Sequence, residues 1–285
     1  MDFDYIKGRD FIEIDGHGDP DLEKNFLDNR CLDRIINDKV FFFVAKKGPG
    51  KSAIHQMIEK HSARHGHIVV TKDFGDFPFE KLLDLKDESS AKADQYQTIW
   101  RNVIVHLLVQ AISQLPHEDN HYYNEIKLYN DIFLGNAVDV HKETVSNTLR
   151  KRGGLHFRGI DTDAEKQTGS ESKLSYKMTA VNRILGELIS NHFMCSNVKR
   201  RIIIQFDRLD DKYDLYQSSD DYHHAISSLF KVVHSNQLLR SKGRLNAKIV
   251  LHIRSDMMRA MALRDAESGR WGDFRFDLNR GIVPN

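Results

Sequence analysis

The run Val40-Phe41-Phe42-Phe43-Val44-Ala45-Lys46-Lys47-Gly48-Pro49-Gly50-Lys51-Ser52-Ala53 constrains this chain more than any other. An apolar segment passes into a short loop with two glycines. Lys-Ser then opens a helical pattern carrying Ile54, Met57, Ile58 and His61, which ends near Gly66. A continuous apolar run marks a strand buried in a parallel sheet. Small, φ-permissive residues let backbone N–H groups turn inward around an anion, which suits Gly48 and Gly50. The helix starting near Lys51 aims the positive end of its dipole at the same point. The pattern is A-x-x-x-x-G-K-S, with Ala45 where glycine is commoner, and it is expected to form a phosphate-binding loop. Residues Lys46, Lys47, Gly48, Pro49, Gly50, Lys51, Ser52 and Ala53 would surround the phosphates. Lys51 would reach the β- and γ-phosphates, and the Ser52 hydroxyl would hold Mg²⁺. The alternative is a Gly/Lys turn in a surface loop; the strand before it and the helix after it argue against that.

The rest of the chain has to supply a core and the other half of such a site. At 285 residues it is long enough for one large domain or two small ones. Charged residues make up 29% and apolar ones 40%, the balance of an ordinary globular protein. The net charge of +1 provides no global basic field, so contact with nucleic acid would need a local patch. Cys31 and Cys195 are far apart without a C-x-x-C motif, which fits a reducing cytoplasm rather than a disulfide scaffold. No run approaches the roughly 18 apolar residues of a membrane span, and the start lacks a signal-peptide pattern. A cytoplasmic protein with no membrane association is expected.

Residues 1–20 read as an irregular arm, and 21–37 as a helix feeding the first strand. His67 to Thr71 reads as a second strand, so strand, helix and strand imply a parallel pair with a right-handed crossover. Helices are expected over 96–115, stopped by Pro116, near 120–134 and 138–152, and over 174–194, with 153–172 as a mobile loop. Arg201 to Phe206 is the third strand, Tyr222 to Leu239 a helix, and Ala247 to Ile253 the fourth strand. The tail after Ala262 is charged and aromatic. About 130 residues separate the second strand from the third, far more than a crossover of about a dozen. The expected division is therefore 1–75, an arm and the first half of an α/β core; 76–198, a helical insertion; and 199–285, the second half.

A phosphate loop needs an acid for the Mg²⁺ and a group that orients water. Ile202-Ile203-Ile204-Gln205-Phe206-Asp207-Arg208-Leu209-Asp210-Asp211 offers both. An apolar strand ending in Asp207 puts that carboxylate at the C-terminal edge of the sheet, where ligands of open α/β folds bind. Asp207 is the candidate metal acid. Asp210 or Asp211 could polarise the attacking water. The alternative is that 207–214 is an acidic, solvated strand-to-helix loop. Arg254, ending the fourth strand, could sense the γ-phosphate or simply pair with these acids.

These segments, with Tyr96…Trp100-Arg101 and Leu251-His252-Ile253-Arg254-Ser255-Asp256, fall in an order that resembles bacterial P-loop ATPases often labelled DNA-repair or phage-defence ATPases. That group belongs to the STAND and origin-recognition-like branch of signalling NTPases. The resemblance covers about residues 20–260 and implies a P-loop core of the additional-strand type with a parallel sheet. It also implies ATP binding and slow hydrolysis used as a switch, often with oligomerisation or a partner protein. Lys51 and Ser52 match the Walker A lysine and serine, Asp207 the Walker B aspartate. Asp211 stands where glutamate is usual, which shortens the reach of a catalytic base. The family continues into a fifth strand and a helical lid; here the lid is expected to be missing, supplied by another chain, or truncated. An ATP-binding scaffold without hydrolysis, or a small-molecule kinase, are the alternatives.

Other signals carry less. His61, His65 and His67 have spacing that could hold a metal, yet no acid lies among them. Arg150-Lys151-Arg152, Lys199-Arg200-Arg201 and Arg240 to Arg244 could touch nucleic-acid phosphates or be solvated faces. No N-K-x-D guanine motif is present, so adenine is the expected base.

Overall fold

The computed structural model describes residues 31–37, 41–46, 51–75, 92–116, 120–134, 172–196, 200–216, 219–235, 240–241, 244–245, 247–264, 271 and 275–277. The expectations for 1–20, 138–152 and 153–172, and the turn 47–50 itself, lie outside these.

Five parallel strands form the central sheet: β1 (Phe42–Ala45), β2 (Ile68–Asp73), β3 (Ile202–Asp207), β6 (Ala247–Arg254) and β7 (Arg275–Asp277), in the order β2-β3-β6-β1-β7. Two short strands, β4 (Arg240–Ser241) and β5 (Arg244–Leu245), make a separate antiparallel pair. The apolar runs form the inner strands: every residue of β1, β3 and β6 is buried. β2 is an edge strand and is only partly buried, so a mixed sequence such as Ile-Val-Val-Thr-Lys-Asp suffices there.

The helices are α1 (Cys31–Asn37), α2 (Lys51–Arg64), α3 (Lys92–Ser113), α4 (His121–Tyr129), α5 (Ser172–Cys195), α6 (Tyr213–Tyr216), α7 (Asp220–Ser235) and α8 (Ser255–Arg264). A π-helical turn, Asn130–Leu134, extends α4. Helix ends follow capping chemistry. Asn120 Oδ1 accepts from Tyr122 N–H at 2.9 Å before α4, and Ser219 Oγ from Tyr222 N–H at 3.3 Å before α7. After α2, Gly66 takes φ +68°, with Gly66 N–H donating to Ala63 O and His67 N–H to Ser62 O. That is the paired bonding of a Schellman stop, and it frees the chain to enter β2.

The period-two alternation of the strands divides the core. Phe43, Ala45, Ile203, Val250 and Phe276 face α1 and α2. Phe42, Val44, Ile202, Ile204, Phe206, Ile249, Leu251 and Ile253 share the other face's core with α3, α4, α5, α7 and α8. Of the helices between β2 and β3, α3 packs on β2 and β3, and α4 and α5 pack on α3 and on each other. Trp100 Nε1–H donates to Ala225 O at 2.7 Å, tying α3 to α7, and Asn102 Nδ2–H to Asn182 Oδ1 at 2.9 Å, tying α3 to α5.

The stretch after Ala262, which by residue pattern reads as a charged, aromatic tail, holds the end of α8 and a fifth strand: β7 pairs with β1, placing Phe276 beside Phe43. Three residues with a single apolar side chain are too short to show a periodicity. The third strand also includes Asp207 itself. No helix among the described residues is long and apolar enough to cross a membrane.

The topology makes a crevice. The chain leaves β1 onto the α2 face, whereas it leaves β6, the neighbour of β1, onto the opposite face through α8. Ligands of open α/β sheets bind at the carboxyl ends of strands where connections diverge in this way.

Candidate functional site

At this carboxyl edge, register brings the strand ends together. Ala45 pairs with Arg254 and Asp73 with Asp207, while β6 stands between β1 and β3. Lys46 follows β1 and is exposed; Lys51, Ser52 and Ala53 form the first turn of α2 and are half-buried.

Lys51 reaches across to the β3 edge. Its Nζ donates to Asp210 Oδ2 at 2.7 Å, with both side chains largely buried. Asp210 is 6% exposed, and its Oδ1 is buried without a hydrogen-bond partner among the described residues. The other side of Asp210 faces Arg254, whose Nε lies 3.9 Å from Oδ2. Asp210 therefore stands between two cations.

The turn carrying Asp210 is held from several directions. Asp207 Oδ1 accepts from Arg208 N–H at 2.8 Å, and Arg208 adopts φ +57°, a left-handed conformation that lets the chain leave β3 sharply. Tyr213 N–H donates to Asp210 O at 3.0 Å, and the Tyr222 hydroxyl to Leu209 O at 3.0 Å. Burial, and then the Asp210 charge, push the Tyr222 phenol up, so it stays a donor.

Arg208 turns outward and joins β2 to β3. Its Nε donates to Asp211 Oδ2 at 2.6 Å and its Nη1 to Asp73 Oδ2 at 3.1 Å. Asp211 thus points at Arg208. Arg254 is 8% exposed and fully engaged: Nε and Nη2 fork onto Asp256 at 3.1 and 2.5 Å, and Nη1 donates to Asp214 at 3.1 Å. The hydrogen bonds of Asp256 and Asp214 hold its pKa well above the usual arginine value. Its hydrogen-bond partners are thus Asp256 and Asp214, and of the acids at 207–211 it approaches only Asp210, at 3.9 Å.

Beneath α2 lies a polar group that the sequence analysis did not single out. His252 Nε2 meets Gln205 Oε1 at 3.0 Å, and Gln205 Nε2–H donates to His55 O at 3.3 Å. His55 Nε2 meets Thr71 Oγ1 at 3.1 Å, whose hydroxyl donates to Glu59 at 2.6 Å. Burial, with His55 and Lys51 nearby, pushes His252 down to about 3, so it is neutral. The signal was available: Gln205 and His252 are polar residues inside otherwise apolar strands. The reach of Asp214 and Asp256 to Arg254 had none.

Among the described residues no group of three or more His, Cys, Asp or Glu could hold a metal ion. His61, His65 and His67 form a row of rings, with His65 Nδ1 against His61 O at 2.8 Å. Mg²⁺ needs no such cage, because it is held through one or two carboxylates plus phosphates. Here Asp207 and the Ser52 hydroxyl lie at the same edge, and the unpartnered, buried Asp210 Oδ1 fits a water or cation.

Comparison with protein-family models, with curated proteins and with solved structures finds no match. The chemistry of the chain concentrates at this edge: a helix N-terminus, a lysine against a buried acid, and a second acid at a strand end.

Proposed function

We propose that the chain binds Mg-ATP at the carboxyl edge of β1, β3 and β6 and hydrolyses it slowly, as a regulatory switch of the P-loop, additional-strand type. One observation carries this: Lys51, opening α2 after a buried parallel strand, reaches Asp210 at 2.7 Å beyond the end of β3. A β6 strand lying between β1 and β3 supports the additional-strand assignment.

In this reading the N-terminus of α2 and Lys51 bind the phosphates. Ser52 and Asp207 would hold the cation, which would supply charge neutralisation at the phosphates. Asp210, through Oδ1, orients a water; Asp211 is a weaker candidate because Arg208 holds it. Arg254 acts through Asp210 and Asp256 rather than on the nucleotide. Adenine and a cytoplasmic location belong to the same proposal through the missing N-K-x-D motif and the cysteine usage; a partner protein or second copy, and a role in phage defence or DNA repair, belong to it through the family resemblance alone.

The test is Mg-ATP affinity and turnover for wild type, Lys51→Ala and Asp210→Asn/Asp211→Asn. Binding by wild type that Lys51→Ala loses supports the proposal; a wild type that binds no Mg-ATP ends it. A second reading, an ATP-binding scaffold without turnover, is favoured by the capture of Asp211 by Arg208 and of Asp210 by Lys51. Turnover by wild type that the double Asn variant loses would exclude it.

A further inference from the structure

We propose that Gln205 and His252 are positioning residues for this site, fixing the first turns of α2 over β3 and so setting where Lys51 stands relative to Asp207 and Asp210. The inference rests on the Mg-ATP reading for its catalytic consequence.

Gln205 lies two residues before Asp207 on β3, fully buried, on the face that α2 covers. Its amide donates to the backbone carbonyl of His55, one helical turn after Lys51. Its carbonyl oxygen is taken by His252 of β6, also fully buried. Neutral His252 has one N–H, and Gln205 Oε1 can only accept, so that proton sits on Nε2. The donor order is then set: His252 to Gln205, Gln205 to the helix. The ring of His252 stands edge-on to His55 at 5.6 Å and against Phe43 at 5.6 Å, which prevents it from turning away. A side-chain amide bonded to a helix carbonyl fixes both the height and the rotation of that helix over the strand; apolar packing alone leaves sliding freedom. Lys51 and His55 share one helix face, so a slip of α2 would move Lys51 along the crevice. The neighbouring apolar residues on this face, Ile203 and Val250, could have been extended by two more apolar residues at lower cost. The polar choice therefore calls for a directional role.

The experiment uses the full chain and four variants: Gln205→Met, which removes both hydrogen bonds at similar length; His252→Leu, which removes the donor to Gln205; His252→Gln, which restores a donor near the Nε2 position; and Asp210→Asn for a stability cycle. Mg-ATP binding is read by calorimetry and turnover by phosphate release, beside melting temperature. The expected result is full binding stoichiometry with affinity or turnover lowered by about tenfold or more in Gln205→Met and His252→Leu, and recovery in His252→Gln. Wild-type affinity and turnover in folded Gln205→Met overturn the proposal. So does equal loss in His252→Leu and His252→Gln. Without nucleotide, urea unfolding of Gln205→Met combined with Asp210→Asn should be non-additive; strict additivity overturns the positioning role. A wild type that binds no Mg-ATP, with that non-additivity intact, refutes the nucleotide reading and leaves the positioning one standing.

Discussion

Lys51 and Asp210 are 159 residues apart in sequence, yet Nζ and Oδ2 meet at 2.7 Å across the crevice. The acid holds the same lysine that a phosphate would need, so the two compete. In Asp210→Asn the shape is kept and the competing charge is lost. Mg-ATP affinity should be equal to or tighter than that of wild type, while turnover falls by roughly 100-fold, the usual size of a lost general base. Isothermal titration and phosphate release measure both; weaker binding by Asp210→Asn would contradict the competition.

Arg254 links α8 to the turn after β3 by forking onto Asp256 and bonding Asp214. Its hydrogen-bonded partners, Asp256 and Asp214, are partly exposed and can be resolvated, and Asp210 keeps Lys51, so the loss in Arg254→Ala should be moderate, about 1–3 kcal/mol. Lysine cannot reproduce the fork, and Arg254→Lys should recover less than half of that loss. Urea unfolding of the three proteins decides it; full recovery by lysine would mean that charge alone matters.

A Cβ on Gly75 would run into the guanidinium of Arg208. The obstacle is the end of a flexible, half-exposed side chain, so Gly75→Ala should push Arg208 off Asp73 at a cost below about 1 kcal/mol. In an Arg208→Ala background the cost should vanish. A double-mutant cycle in urea reads the coupling; an equal penalty in both backgrounds would place the strain in the backbone instead.

The parts of the fold that announce themselves in the sequence are those whose burial imposes a period. β1, β3 and β6 are apolar runs because both faces are covered, and α3 and α5 carry helical stripes because they pack on one face. β7 shows no pattern because its single buried residue, Phe276, is one point. In the site, Lys51, Asp207 and Asp210 were visible as strand and helix ends. That Asp210 rather than Asp211 faces Lys51 depends on the left-handed backbone of Arg208, a non-glycine residue that gives no warning of it. Of the partners of Arg254, Asp256 is two residues on, but Asp214 lies in α6, 40 residues earlier, which only the assembled sheet brings near.

Buried neutral histidines give the fold an acid-sensitive side. Burial lowers His106, whose Nε2 meets the Tyr129 hydroxyl, and lowers His252 to about 3. A histidine depressed in the folded state costs nothing above its unfolded pKa near 6.5. Below that the unfolded chain takes up a proton that the folded chain refuses, so stability falls as pH falls. At about pH 5 the loss from His252 alone should be on the order of 2 kcal/mol. Asp256, raised by burial but lowered further by Arg254 and the Met257 N–H, works in a lower range: its stabilisation is lost only as pH falls below the ordinary carboxylate value. Urea unfolding between about pH 7 and pH 5 therefore isolates the histidines. Wild type should lose stability across that interval, and His252→Gln, which has no proton to take up, should show a slope shallower by about 2 kcal/mol over it. Equal slopes would mean that His252 gains access to water or a proton partner before the chain unfolds.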